Sequence, residues 1–160
     1  MGNIMRIMIA RHGKAEEKKL GIPDEERRLT TEGRREVEAT SRILPWRPAI
    51  VLTSPLVRAR ESAEIIASIY GVEVKVVDEL HPSILSLDAI KRIDIPDCAV
   101  LVGHAPSIEN LVSELIGGGK IKLSTGSIAG VELEVLDKGK GVLRFLITPD
   151  IALRILSTTR

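Results

Sequence analysis

Met5-Arg6-Ile7-Met8-Ile9-Ala10-Arg11-His12-Gly13 is where the chain first declares an architecture. The run from Met5 to Ala10 is, apart from Arg6, apolar at successive positions rather than alternate ones. It stops abruptly at Arg11-His12-Gly13. Such a run reads as a strand covered on both faces, with a loop at its carboxyl end. The same figure recurs at Ala49 to Thr53, which stops at Ser54-Pro55, and at Ala99 to Val102, which stops at Gly103-His104. Val72 to Val77 is a further strand, followed by a loop from Asp78 to Pro82.

Helical stretches lie between these strands. One enters at Leu29-Thr30-Thr31-Glu32-Gly33 with a Thr cap and runs to about Leu44, where Pro45 and Pro48 end it. A second, Leu56 to Tyr70, places Leu56, Ala59, Ala63, Ile66 and Tyr70 at helical spacing and ends at Gly71. A short helix is expected over Ile84 to Ile93. Pro106 opens another that runs to about Ile116 and is closed by Gly117-Gly118-Gly119. Lys14 to Arg28 is charged, carries Gly21 and Pro23, and reads as a surface loop. Ile128 to Leu136 and Val142 to Thr148 form a hairpin around Asp137 to Gly141. This alternation predicts an α/β fold, a mostly parallel central sheet between helices, as one domain over residues 1–160.

Composition narrows the function. The net charge is +1, so no global basic field draws the chain to nucleic acid. Trp46, Tyr70 and Phe145 are too few aromatics for a base-stacking platform, and the core must be Ile, Leu and Val. No apolar run approaches a membrane helix. Cys98 stands alone, which excludes an internal disulfide framework and a multi-cysteine zinc site. The start lacks a signal-peptide apolar region, so a reducing cytoplasm is the expected setting. Plentiful charge with two Asn and no Gln leans toward a thermophile.

In open α/β sheets, ligands bind beyond the carboxyl ends of the strands. Those ends hold all three histidines: His12, His81 and His104. Imidazole is nucleophilic near neutral pH when an acceptor holds its second nitrogen. Arg11 and Arg58 bring permanent forked donors suited to phosphate oxygens. Gly13 permits a sharp bend and close approach of a ligand. Taken singly, each has an ordinary reading: a loop His, an Arg paired to a carboxylate, a solvated helix charge, a helix-capping His. Together they describe an anion pocket with a nucleophile inside. There is no Gly-rich nucleotide loop and no spaced acidic cluster, so neither cofactor nor metal is expected. Phosphoryl transfer through a phosphohistidine is the simplest chemistry these residues support.

The ordered motifs resemble those of the histidine phosphatase superfamily. The resemblance is carried by Arg11-His12-Gly13, Leu29-Thr30-x-x-Gly33, Ser54-Pro55-x-x-Arg58-Ala59 and Val102-Gly103-His104-x-Pro106. The short length, Glu79-Leu80-x-Pro82 and Ser124 to Ala129 are similar to its SixA-type phosphohistidine phosphatase branch. The likeness runs from Arg6 to about Pro149. It implies a three-layer α/β/α sandwich of the phosphoglycerate mutase-like kind. His12 would be the nucleophile, with Arg11, Arg58 and His104 completing the phosphate pocket and Gly13 beside it through its backbone. Water would then hydrolyse the intermediate. The resemblance also makes Glu79, in the loop after the third strand, the candidate general acid, a group that SixA-type enzymes often lack.

Lys14 departs from the acidic residue often found after the glycine and would make the pocket mouth more basic. Arg28 stands for a common Pro, and Glu61-Ser62 for Gln-Thr. Three functions follow as hypotheses. The first is hydrolysis of a phosphohistidine on a protein or small mimic. The second is a phosphomonoesterase or mutase acting on a sugar or nucleotide phosphate. The third is a non-catalytic phosphate-binding module. Lys14 to Arg28 and Asp78 to Asp97 are too short for a lid domain, which favours an open site and a protein partner. A monomer is expected.

Overall fold

β1 (Met5–Arg11) runs through the interior of a six-stranded sheet in the computed structural model, which describes residues 3–158. Its neighbours are β4 (Ala99–Gly103), parallel, and β5 (Ile128–Leu133), antiparallel. Beyond β4 lie β2 (Ile50–Thr53) and the edge strand β3 (Val74–Val76), both parallel. Beyond β5 lies β6 (Gly141–Ile147), antiparallel to it. The order is β3-β2-β4-β1-β5-β6, and β5 alone runs against the rest.

Ile7, Met8, Ile9 and Ala10 are all buried, as expected of a strand covered on both faces. Their side chains alternate between two cores. Ile7 and Ile9 join Leu52, Leu101, Ala129 and Val131 under α3 (Leu87–Lys91) and α4 (Ser107–Leu115). Met8 and Ala10 join Val51, Val100 and Val102 under α1 (Thr31–Arg42) and α2 (Val57–Tyr70). The result is the expected three-layer α/β/α sandwich with a mostly parallel sheet.

Local signals explain the boundaries. The Thr30 hydroxyl accepts from the Gly33 N–H at 3.0 Å and starts α1. Gly71, in the left-handed region at φ 65°, ends α2. The third strand is three residues rather than the expected six, because as an edge strand it pairs only with β2. The Ser86 hydroxyl accepts from the Ala89 N–H at 3.0 Å, so α3 begins at Leu87, later than expected. Asp78–Leu80 and Asp24–Glu26 each form a single 3-10 turn inside segments expected to be loops.

One helix was not anticipated. α5 (Pro149–Thr158) follows β6 and packs on α1, with Ala152 fully buried. Thr148-Pro149-Asp150 is its start signal: Pro suits the first turn, and the Thr148 hydroxyl accepts from the Ile151 N–H. Among the described residues no helix is long and apolar enough to cross a membrane.

Candidate active site

The carboxyl ends of β1, β2 and β4 deliver one cluster. His12 follows β1, Arg58 sits in the first turn of α2 after β2, and His104 follows β4. All three are at most 8% exposed, which is unusual for charged or ionisable side chains and calls for partners. The two imidazoles lie 4.9 Å apart, centroid to centroid. The Arg58 Nε–H donates to His12 Nε2 across 3.3 Å.

His12 is oriented from behind. Its Nδ1–H donates to the Gly13 carbonyl at 2.7 Å, which leaves Nε2 as the lone-pair nitrogen. Burial, opposed by that hydrogen bond and helped by the charges of Arg58, Arg11 and Arg27, lowers its pKa to about 4. Burial, with the adjoining His12 and Arg58, lowers that of His104 to about 3. Both rings are therefore neutral at physiological pH.

Arg11 ends β1 opposite Gly103, and its Nη1 donates to the Leu123 carbonyl at 2.9 Å. Its Nε is buried without a hydrogen-bond partner, and so is Nδ1 of His104. Buried polar nitrogens are normally paired. Among the described residues these two orphans both belong to the residues that the sequence picked as a phosphate pocket. His104 Nε2 and the buried Ser54 hydroxyl lie 2.8 Å apart, and the Leu56 N–H donates to that hydroxyl at 3.2 Å.

The segment Ser124 to Ser127 backs the loop. The Gly126 N–H donates to the carbonyl of His12 at 2.9 Å, and the Arg11 N–H donates to that of Ser127.

Glycine at position 13 has a different physical reason from the one expected. Its φ is not in the left-handed region, and its N–H is taken by the Ser62 hydroxyl at 3.0 Å. A Cβ there would stand 2.4 Å from the Gly33 carbonyl oxygen, and one on Gly33 would stand 2.1 Å from that of Lys14. The two glycines let α1 press against the loop that follows β1. That close packing of helix on loop is what the structure shows Gly13 providing.

Among the described residues no hydrogen bond or ion pair joins the side chains of two further candidates to those of the cluster. The Lys14 ammonium bonds Glu32 Oε2 at 3.0 Å, and that hydrogen bond raises its pKa. Glu79 lines a cleft of about 350 Å³ with Lys75, Asp78 and Asp94, and its side chain makes no hydrogen bond or ion pair among the described residues. His81 is fixed by Ser83, whose N–H donates to its Nδ1 at 3.0 Å.

The carboxylate that does reach the cluster is Asp24, from the segment expected to be a surface loop. Arg58 Nη1 donates to its carbonyl at 2.8 Å and Nη2 to its Oδ2 at 3.2 Å. Arg27 Nε donates to Oδ1 at 2.8 Å. Burial of Asp24 is outweighed by Arg27 and Arg58, so its carboxyl is lowered and ionised. The acidic 3-10 turn after Pro23 was the available signal.

A model of the histidine phosphatase superfamily (branch 1) matches residues 7–82, the span that holds Arg11, His12 and Arg58. No curated protein sequence matches. Among solved structures, the protein histidine phosphatase SixA complexed with tungstate shares 25% identity at a TM-score of 0.76, over 91% of this chain and 98% of that one. Two others carry the same fold. A structure that bears the SixA name, from Agrobacterium tumefaciens, has 24% identity and a TM-score of 0.76, over 91% and 98%. One from Nakamurella multipartitia has 21% identity and a TM-score of 0.74, over 92% and 97%. With the family model on residues 7–82 and this shared fold over nine-tenths of its length, the chain is similar to the histidine phosphatase superfamily.

Proposed function

We propose that the protein is a phosphatase that takes a phosphoryl group onto His12 Nε2, and that its substrate is a phosphohistidine on a protein or a small mimic. One observation carries the chemistry. A neutral histidine with its Nδ1–H tied to a carbonyl turns Nε2 toward a buried guanidinium, while Arg11 Nε and His104 Nδ1 lie buried without partners. A phosphoryl group at Nε2 supplies the acceptor oxygens that such donors lack.

In the first step the Nε2 lone pair attacks phosphorus, and the bond from phosphorus to the substrate imidazole breaks. Arg11, Arg58 and His104 offset charge on the equatorial oxygens. The departing imidazole carries its own proton on its second nitrogen or takes one from water. That lightens the need for an acid such as Glu79, which remains the proposed donor for ester substrates. In the second step water attacks phosphorus, releasing inorganic phosphate and neutral His12.

The substrate class follows from what the connections do. Residues 78–97 pack into the core through Leu80, Leu87, Ala89 and Ile90, which favours an open site. The SixA likeness supports the same reading. We place the enzyme in the cytoplasm, as a monomer.

The test is a panel of a chemically phosphorylated histidine protein, sugar phosphates and p-nitrophenyl phosphate, with His12→Ala as control. Phosphate release fastest from phosphohistidine, and absent in His12→Ala, is expected. Fast release from sugar phosphates with none from phosphohistidine would favour the phosphomonoesterase reading.

A further inference from the structure

Arg58 is held at both ends. Its Nε faces His12, while its two terminal nitrogens are bound by the carbonyl and carboxylate of Asp24. Among the described residues Asp24 makes the one ion pair to Arg58. The guanidinium has five N–H groups, and these contacts engage three, leaving one on each terminal nitrogen.

Asp24 is itself fixed. Arg27 grips its Oδ1, and the Arg27 Nη1 reaches back to the Glu16 carbonyl at 2.7 Å. The base of the loop closes through an antiparallel bridge between Ala15 and Leu29, and the Glu16 N–H donates to the Arg28 carbonyl at 2.8 Å. Glu61, from α2, accepts the Leu29 N–H at 2.8 Å and pairs with Arg28 and Arg34. The acidic turn is thus tied to the same helix that carries Arg58. A long side chain with no such tether loses rotamer freedom each time it engages a ligand.

We infer that Asp24 is a positioning residue: it holds the terminal edge of Arg58 so that Nε–H and the free terminal N–H groups meet the phosphoryl group arriving at His12. This rests on the reading of His12 as the phosphoryl acceptor. Asp24 does not act as the proton donor, since Arg27 and Arg58 keep it ionised. Its role passes through Arg58 alone, so its effect must vanish where Arg58 is absent.

That dependence is the test. Asp24→Asn, Arg58→Ala and the double variant are assayed with p-nitrophenyl phosphate, with thermal transitions measured alongside, and Asp24→Glu is included as the charge-retaining variant. Asp24→Asn is expected to lower kcat/KM about tenfold, with Asp24→Glu recovering part of the loss, while the double variant is no slower than Arg58→Ala. An Asp24→Asn enzyme with unchanged kcat/KM overturns the inference. So does a double variant whose losses multiply, which marks a general structural role. If the native protein turns over nothing, the phosphatase reading fails instead. Calorimetric titration with tungstate then decides the inference: weaker binding in Asp24→Asn, with no further weakening in the double variant, supports it, and equal binding overturns it.

Discussion

Arg58 Nε stands 3.3 Å from His12 Nε2, and both side chains are buried. A permanent cation donating to an imidazole nitrogen stabilises the neutral ring and opposes its protonation. Burial of the ring lowers its pKa most, and this cation adds to the effect.

The pH dependence of catalysis follows. In the proposed mechanism neutral His12 is the nucleophilic form, and burial lowers its pKa to about 4. With the ionisation of p-nitrophenyl phosphate divided out, kcat/KM is expected to stay flat from pH 7 to about 5 and to fall toward pH 4. A break near the ordinary histidine value of about 6.5 would contradict the buried, arginine-flanked environment.

Stability responds to the same groups. In the unfolded chain both histidines take up protons near pH 6.5, whereas folded His12 and His104 resist until about 4 and about 3. Between those values the unfolded state binds more protons, so stability falls as pH drops through the window. The loss in melting temperature from pH 7 to pH 5 should shrink in His12→Ala and His104→Ala.

Gly33 to Ala tests the contact between α1 and the loop that follows β1. The new Cβ meets the Lys14 carbonyl oxygen and the Lys14 nitrogen, backbone atoms that cannot swing aside. A loss of roughly 2–4 kcal/mol in denaturant unfolding is expected. A loss under about 0.5 kcal/mol, the scale of a neutral surface change, would show that the helix does not press on the loop as described.

Ser54→Ala removes the partner of His104 Nε2 and the acceptor for the Leu56 N–H. Leaving buried groups unpaired should cost about 1–3 kcal/mol of stability. Turnover should fall about tenfold as His104 loses its orientation. Full activity in this variant would mean that His104 is aligned by packing alone.

The three strand ends were legible because their signals are local. An apolar run that stops at Arg-His-Gly or Gly-His marks both a buried strand and the chemistry after it, and His12, Arg58 and His104 do meet. Asp24 and Arg27 were not legible. Their place depends on how a fifteen-residue charged loop, Lys14 to Arg28, closes on itself and on α2, and nothing in its own periodicity reports that closure. Gly13 was legible as a required glycine but not for its reason, since its neighbour Gly33 is distant in the chain. α5 had a start signal in Thr148-Pro149-Asp150, yet its apolar face is narrow, with Pro149 and Ala152 its buried residues.

The central claim is that His12 Nε2 carries the phosphoryl group. Its most direct measurement is mass spectrometry of the enzyme quenched in alkali during turnover, where phosphohistidine survives. The account predicts a phosphoryl adduct on the peptide containing His12, bonded at Nε2, absent from His12→Ala and decaying as phosphate is released. Turnover with no adduct at His12, or an adduct on His81 or His104 instead, would contradict it.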